Sequence, residues 1–145
     1  EKKETIRSID MSQTLEKIAK VYDPEFKGIT VISYVQSPFV KKDTLEEAVY
    51  TTLLLDSDSA FTVEEISSEV YRRGSHGLVP INPPKFITSD YEVLFTDANS
   101  AFASRTANFS KGTLYGSKVA NYYAIEEESL FIDNERKYKI SKSFI

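Results

Sequence analysis

DTLEEAVYTTLLLDSDSAFTVEEISSEVYRRG, residues 43–74, is the stretch whose reading decides the fold. Thr44 stands three residues before Glu47, the spacing of a capping box, in which hydroxyl and carboxylate satisfy each other's backbone N–H groups at a helix start. Leu45, Ala48, Val49, Thr52 and Leu53 follow at helical spacing. Asp56-Ser57-Asp58-Ser59 breaks the pattern. Thr62 and Glu65 repeat the box, and Val63, Ile66 and Val70 continue an apolar stripe up to Gly74, a residue type suited to end a helix. The reading is two short capped helices joined by a turn of about six residues.

N-terminal to this stretch, residues 1–9 are charged and aperiodic, and a frayed end is expected. A helix is expected from Asp10, on the phasing of Leu15, Ile18, Ala19 and Tyr22. It stops at Asp23-Pro24, because the residue before proline avoids the helical region. Gly28 opens the β-branched and aromatic run Ile29–Val35, a strand ended by Ser37-Pro38. Residues 1–42 thus read as an appendage of helix and strand on a domain of residues 43–145, the two forming one compact unit.

C-terminal to it, residues 74–88 hold Gly77, Pro80, Pro83 and Pro84, so a loop is expected, with a short extended piece around Leu78 or Phe86. Ser89 and Glu92 give a third box. Tyr91, Leu94, Phe95, Ala98 and Phe102 fall on one helical face, which favours a helix from Asp90 to about Arg105. The competing reading is a strand over 91–96, which also alternates. Thr113–Tyr115 between Gly112 and Gly116 reads as a short strand, and Val119–Ile125 as another. Leu130–Ile132 and Lys137–Ile140 flank Asp133-Asn134-Glu135-Arg136, good turn chemistry for a hairpin. The C-terminal third therefore reads as a small antiparallel meander. Leu45, Val49, Leu53, Ile66, Val70, Leu94, Phe95 and Phe102 are expected to share one core.

The fold class is α+β, helices followed by a small antiparallel sheet. Thr-Leu-Glu-Glu-Ala-Val-Tyr at 44–50 and Phe-Thr-Val-Glu-Glu-Ile-Ser-Ser-Glu-Val at 61–70 resemble the first two helices of a winged helix-turn-helix domain. Ser-Lys-Gly-Thr-Leu-Tyr-Gly-Ser-Lys at 110–118 resembles the junction from its recognition helix to its wing. The likeness covers residues 43–126. It implies a DNA-binding or protein-docking module, in the cytoplasm if the ligand is DNA. The alternative is a cone-shaped α+β fold resembling nuclear transport factor 2, with helices packed into a curved antiparallel sheet, which implies an assembly or extracytoplasmic protein-interaction domain. It makes better use of the strands at 29–35 and 91–96.

Composition narrows the chemistry. The 145 residues carry a net charge of −4, no Cys and one His, so disulfide scaffolds, thiolate sites and multi-histidine metal sites are excluded. No apolar run approaches the 18 residues of a membrane span. The chain begins at Glu1 rather than Met, which reads as a fragment or processed form. Charge is uneven. Residues 43–69 hold eight carboxylates and no Lys or Arg, whereas residues 98–125 hold Arg105, Lys111 and Lys118 and no carboxylate. Arg105, Lys111, Ser117, Lys118, Asn121 and Tyr122 are the best candidate group for nucleic-acid or partner binding, combining cations, polar donors and an aromatic platform. Their bland reading is a strand edge kept soluble by lysine.

Other candidates are weaker. Arg72, Arg73 and His76 beside two glycines could bind phosphate, but such a loop is more often an exposed connector. Asp56–Ser59 lacks the glycine and terminal Glu of a calcium loop and reads as a turn. Glu126-Glu127-Glu128 reads as a solvated connector. Gly112-x-x-x-Gly116 lacks the Lys-Ser/Thr of a phosphate loop. Asn108-Phe109-Ser110 is an N-glycosylation triplet of a kind common by chance. No nucleophile–base set assembles on His76. The expectation is a non-enzymatic module with no cofactor, no catalytic residues and no metal, partnered by DNA or a protein.

Overall fold

The computed structural model describes residues 11–82 and 93–144. Its first elements follow the sequence reading in type and order, although the strand expected over 29–35 ends at Ile32. Helix α1 runs Met11–Tyr22 and stops ahead of Asp23-Pro24, where the Asp23 carboxylate accepts the backbone N–H groups of Lys27 (3.2 Å) and Gly28 (2.7 Å). Strand β1, Ile29–Ile32, follows, and helix α2 covers Lys42–Leu54. The capping box of α2 does not form. The N-cap is Lys41, without a side-chain bond, and the Thr44 hydroxyl is donated to the carboxylate of Glu128 instead.

The second helix expected over 62–73 is not a helix. Strand β2 occupies Ser59–Glu65, and a separate hairpin follows, β3 Tyr71–Gly74 against β4 Gly77–Pro80. The third expected helix is strand β5, Phe95–Arg105, so the extended alternative at 91–96 holds at 95–96, while residues 93 and 94 precede the strand. For β2 and β5 the two corrections have one cause. In the sheet order β1-β5-β2-β6, β2 and β5 lie in the interior, and over Ser59–Val63 and Ala98–Ser104 they are buried or half-buried on both faces. A doubly buried strand does not alternate, so its apolar positions can mimic helical spacing. The expected frayed end at 1–9, the extended piece around Phe86 and residues 90–92 of the expected helix lie outside the described residues.

The C-terminal meander is also corrected. A short helix α3, Ala107–Ser110, follows β5, and the segment expected as a strand at 113–115 is irregular. Strand β6, Val119–Tyr123, pairs with β2 in parallel, with Ser59 opposite Val119 and Val63 opposite Tyr123. The hairpin expected around Asp133–Arg136 is the start of helix α4, Glu135–Ser141, where Asn134 is an N-cap accepting the Lys137 N–H at 2.9 Å. A 3₁₀ turn, Lys142–Phe144, ends the described chain. The described residues thus form a mixed α+β structure of four α-helices and two sheets, the larger one mostly antiparallel.

Small residues let α2 approach the sheet closely. Its buried stripe is Thr44, Ala48 and Thr52, and Ala48 meets Ala101 and Ala103 of β5, with Ile29, Val31, Leu45 and Tyr122 around them. On the opposite face the rings of Phe61, Phe102 and Tyr115 interlock, with centroids 5.1–6.3 Å apart. A bulge between Phe61 and Val63 bends β2 against β5. The Thr62 hydroxyl fills the break, accepting the N–H groups of Ser100 and Ala101 at 3.2 Å. The eight-residue core expected from helical phasing holds only in part. Phe102 is buried, and Leu45, Val49, Ile66, Val70 and Leu94 are half-buried. Leu53 and Phe95 are exposed, because their expected face belonged to a three-helix arrangement.

Candidate functional site

The basic residues singled out in the sequence meet at the turn that leads from α2 into β2. Helix α2 ends at Leu54, and Asp56 takes a positive φ of 45°, which swings Asp56–Asp58 under the end of β5. There Arg105 donates from Nη2 to Asp56 Oδ1 and from Nε to the Ser57 carbonyl, both at 2.8 Å. The backbone N–H of Arg105 reaches the Asp58 carbonyl at 2.8 Å, and Asn108 Nδ2 reaches the same oxygen at 2.9 Å. From the other side, the Asp58 carboxylate accepts the N–H of Ser117 (2.8 Å), its hydroxyl (2.9 Å) and the N–H of Lys118 (2.9 Å). The Lys118 ammonium is donated to the Leu55 carbonyl.

These donors fix the charge on Asp58. The backbone N–H groups of Lys118 and Ser117 stabilise the ionised carboxylate, with the Ser117 hydroxyl and the Lys111 charge adding to them, and its pKa falls to about 2. The approach is so close that residue 116 has to be glycine. Gly116 sits at φ +73°, and an added Cβ would stand 2.3 Å from Asp58 Cβ.

Three of the six candidates, Arg105, Ser117 and Lys118, therefore share one polar clasp, and its donors are engaged with the chain itself. The other three are placed differently. Lys111 is exposed beside the clasp. Asn121 and Tyr122 point to opposite faces of β6. The Tyr122 hydroxyl donates to the Thr44 carbonyl at 2.7 Å, and burial, with Glu47 and Glu128 nearby, pushes its pKa well above the usual phenol range. Asn121 faces solvent.

β6 is an edge of the main sheet. Ala124 donates its N–H to the Val63 carbonyl, and the Lys118 carbonyl accepts from Asp58 and Ser59, so even-numbered residues bond toward β2. By alternation the N–H and C=O groups of Val119, Asn121 and Tyr123 point away from the sheet, and all three side chains are exposed. The opposite edge, β1, is half-buried throughout.

Three further features correct or extend the sequence reading. Glu128, read as part of a solvated connector, is fully buried, accepting from the Thr44 hydroxyl and the Lys41 N–H (3.2 Å), with the Lys41 ammonium 3.7 Å away. Its backbone carbonyl takes the Ser100 hydroxyl at 2.8 Å. Asn108 of the glycosylation triplet is buried, and its amide is committed to Asp58 and Ser104. An open cavity of about 570 Å³, lined mainly by Val35, Pro38, Phe39, Ile132 and Tyr138, lies between the segment after β1 and α4. Sequence reasoning missed Glu128 and the place of β6 at the edge of the described sheet, because a Glu-Glu-Glu run looks solvated and parallel pairing leaves no local signature. Compared with known proteins, the chain matches no family model and no curated protein sequence.

Proposed function

We propose that this chain is a non-enzymatic protein-docking module that binds an extended segment of its partner along the outer edge of β6. The observation that carries this reading is an edge that no described strand pairs, with three outward-facing backbone positions at the exposed residues Val119, Asn121 and Tyr123. An extended peptide adds to such an edge through main-chain hydrogen bonds, with Asn121 and Tyr123 supplying side-chain contacts. DNA binding is the weaker reading. Arg105 and Lys118 spend their donors on Asp56 and the Leu55 carbonyl, and Asp58 adds negative charge where phosphate would have to sit. Of the two architectures considered, the cone-shaped one is the better supported. The segments a winged helix would use as its second and third helices are strands, and α2 packs on a bent sheet.

Asn121→Pro tests the proposal. It removes one outward N–H and leaves the bonds to β2 in place, a position where an edge strand tolerates proline. Panning a random peptide library on the chain should enrich extended, β-prone peptides. Their binding should fall at least tenfold in Asn121→Pro while the melting temperature holds and Lys118→Ala binds as before. Failure to enrich any peptide would overturn the proposal, as would low-salt DNA binding that Lys111→Ala and Lys118→Ala weaken.

A further inference from the structure

Among the described residues, the β3–β4 hairpin forms a sheet of its own. Its strands pair with each other, Tyr71 opposite Pro80, Arg72 opposite Val79, Arg73 opposite Leu78 and Gly74 opposite Gly77, and with no other strand among the described residues. Ile81 extends the ladder by donating its N–H to the Val70 carbonyl at 2.8 Å. A two-residue turn, Ser75-His76, closes it, with Gly77 at φ +131°. All eight strand residues are exposed except Gly74, and Leu78 is 73% exposed.

Directly opposed residues on antiparallel strands share a face. One face therefore presents Tyr71, Pro80, Arg73 and Leu78, and the other presents Arg72 and Val79. Each face combines an arginine with an apolar side chain. From Val70 to Ser89 the sequence holds no carboxylate, although the whole chain carries a net charge of −4. The nearest one, Glu69, is engaged by the Tyr71 hydroxyl at the base. Neither arginine makes an ion pair with any described residue.

We propose that this hairpin docks the protein onto an anionic lipid surface, its arginines on the headgroups and Leu78, Val79 and Tyr71 in the interfacial layer. Charge complementarity selects the partner's sign, since an acidic chain presents here two adjacent arginines with no ion pair among the described residues. The two-sided distribution selects a lipid surface over an acidic protein. A protein groove covers one face of a hairpin and leaves the other arginine and apolar pair in water, whereas a fluid interface surrounds both faces. Each cation near an anionic leaflet strengthens binding by about fivefold, and burying an exposed leucine adds roughly tenfold or more. This inference is independent of the β6 edge.

Sedimentation with phosphatidylcholine vesicles, with and without phosphatidylserine, tests it. The chain contains no Trp, so Leu78→Trp provides a single reporter. The chain should bind the serine-containing vesicles and not the neutral ones, and bind less as salt rises. The reporter's emission should shift to the blue on binding. Arg72→Glu with Arg73→Glu should abolish binding, the milder Arg72→Gln with Arg73→Gln should weaken it roughly twentyfold or more, and Asn121→Pro should leave it unchanged. Failure to bind phosphatidylserine vesicles at low salt, or binding that the arginine variants do not alter, would overturn the proposal. Soluble polyglutamate that binds as tightly as the vesicles, without the blue shift, would overturn it in favour of an acidic protein partner.

Discussion

Arg105 and Lys118 stand at the α2–β2 turn, Arg72 and Arg73 on the β3–β4 hairpin, and the two pairs have opposite surroundings. At the turn, both cations are bonded to a carboxylate or a carbonyl of the same chain, and the neighbouring residues Asn108 and Phe109 are buried. On the hairpin, neither arginine has an ionic partner among the described residues, and the apolar side chains beside them face water. The difference teaches that positive charge on an acidic chain is not by itself a binding surface. Where carboxylates and backbone acceptors converge on the cations, charge is spent on joining segments distant in sequence. Where they do not, it remains available to a partner.

The comparison breaks most visibly through the side chains beneath each region. Phe109→Ala should destabilise the chain by about 3–5 kcal/mol in urea unfolding, because the ring is fully buried next to the clasp. Leu78→Ala should change stability by less than about 0.5 kcal/mol. A comparable loss in both variants would show that the hairpin is part of the core.

Backbone strain gives a smaller contrast within the clasp. Gly116 and Gly112 both adopt positive φ, but an alanine methyl at 116 meets Asp58 and one at 112 meets nothing within 4 Å. Gly112→Ala should cost about 1 kcal/mol for its conformation alone. Gly116→Ala should cost about 2–3 kcal/mol, and it should also raise the Asp58 pKa, followed by carboxyl NMR, as Ser117 and Lys118 are pushed away.

How much of this could be read beforehand depends on what surrounds each segment. α1, β1 and α2 were legible because their signals are local: apolar phasing, Asp23-Pro24 as a stop, a β-branched run. The class, α+β, was legible as well. β2 was not, because Thr62-Val63-Glu64-Glu65 has the spacing of a cap while its conformation is set by β5 and β6 on either side. β5 was misread because Ala98 to Ser104 are all buried or half-buried and mostly small, so they neither alternate nor show strand propensity. At the site, the basic group was legible as a cluster of types. Its internal neutralisation was not, since Asp56 and Asp58 lie 49 to 60 residues from the groups they meet and reach them only through the β2–β5 and β2–β6 pairings.

The pH dependence of stability sharpens the comparison further. Asp58 has a folded-state pKa of about 2 against an ordinary value of 3.8, so its contribution is complete above the ordinary value and is lost as pH falls toward 2. Urea midpoints should therefore decline between about pH 4 and pH 2. The decline should be shallower in Asp58→Asn, which no longer titrates, and unchanged in Arg72→Ala, whose side chain meets no carboxylate among the described residues.

The most direct measurement compares Arg105→Ala with Arg73→Ala in equilibrium urea unfolding at neutral pH. Arg105→Ala removes two hydrogen bonds, one to a half-buried carbonyl and one to an exposed carboxylate, and should lower stability by about 1–2 kcal/mol. Arg73→Ala should stay within about 0.5 kcal/mol of the parent. Equal effects of the two substitutions, or a larger loss in Arg73→Ala, would contradict the assignment of the first basic cluster to the fold and the second to a partner.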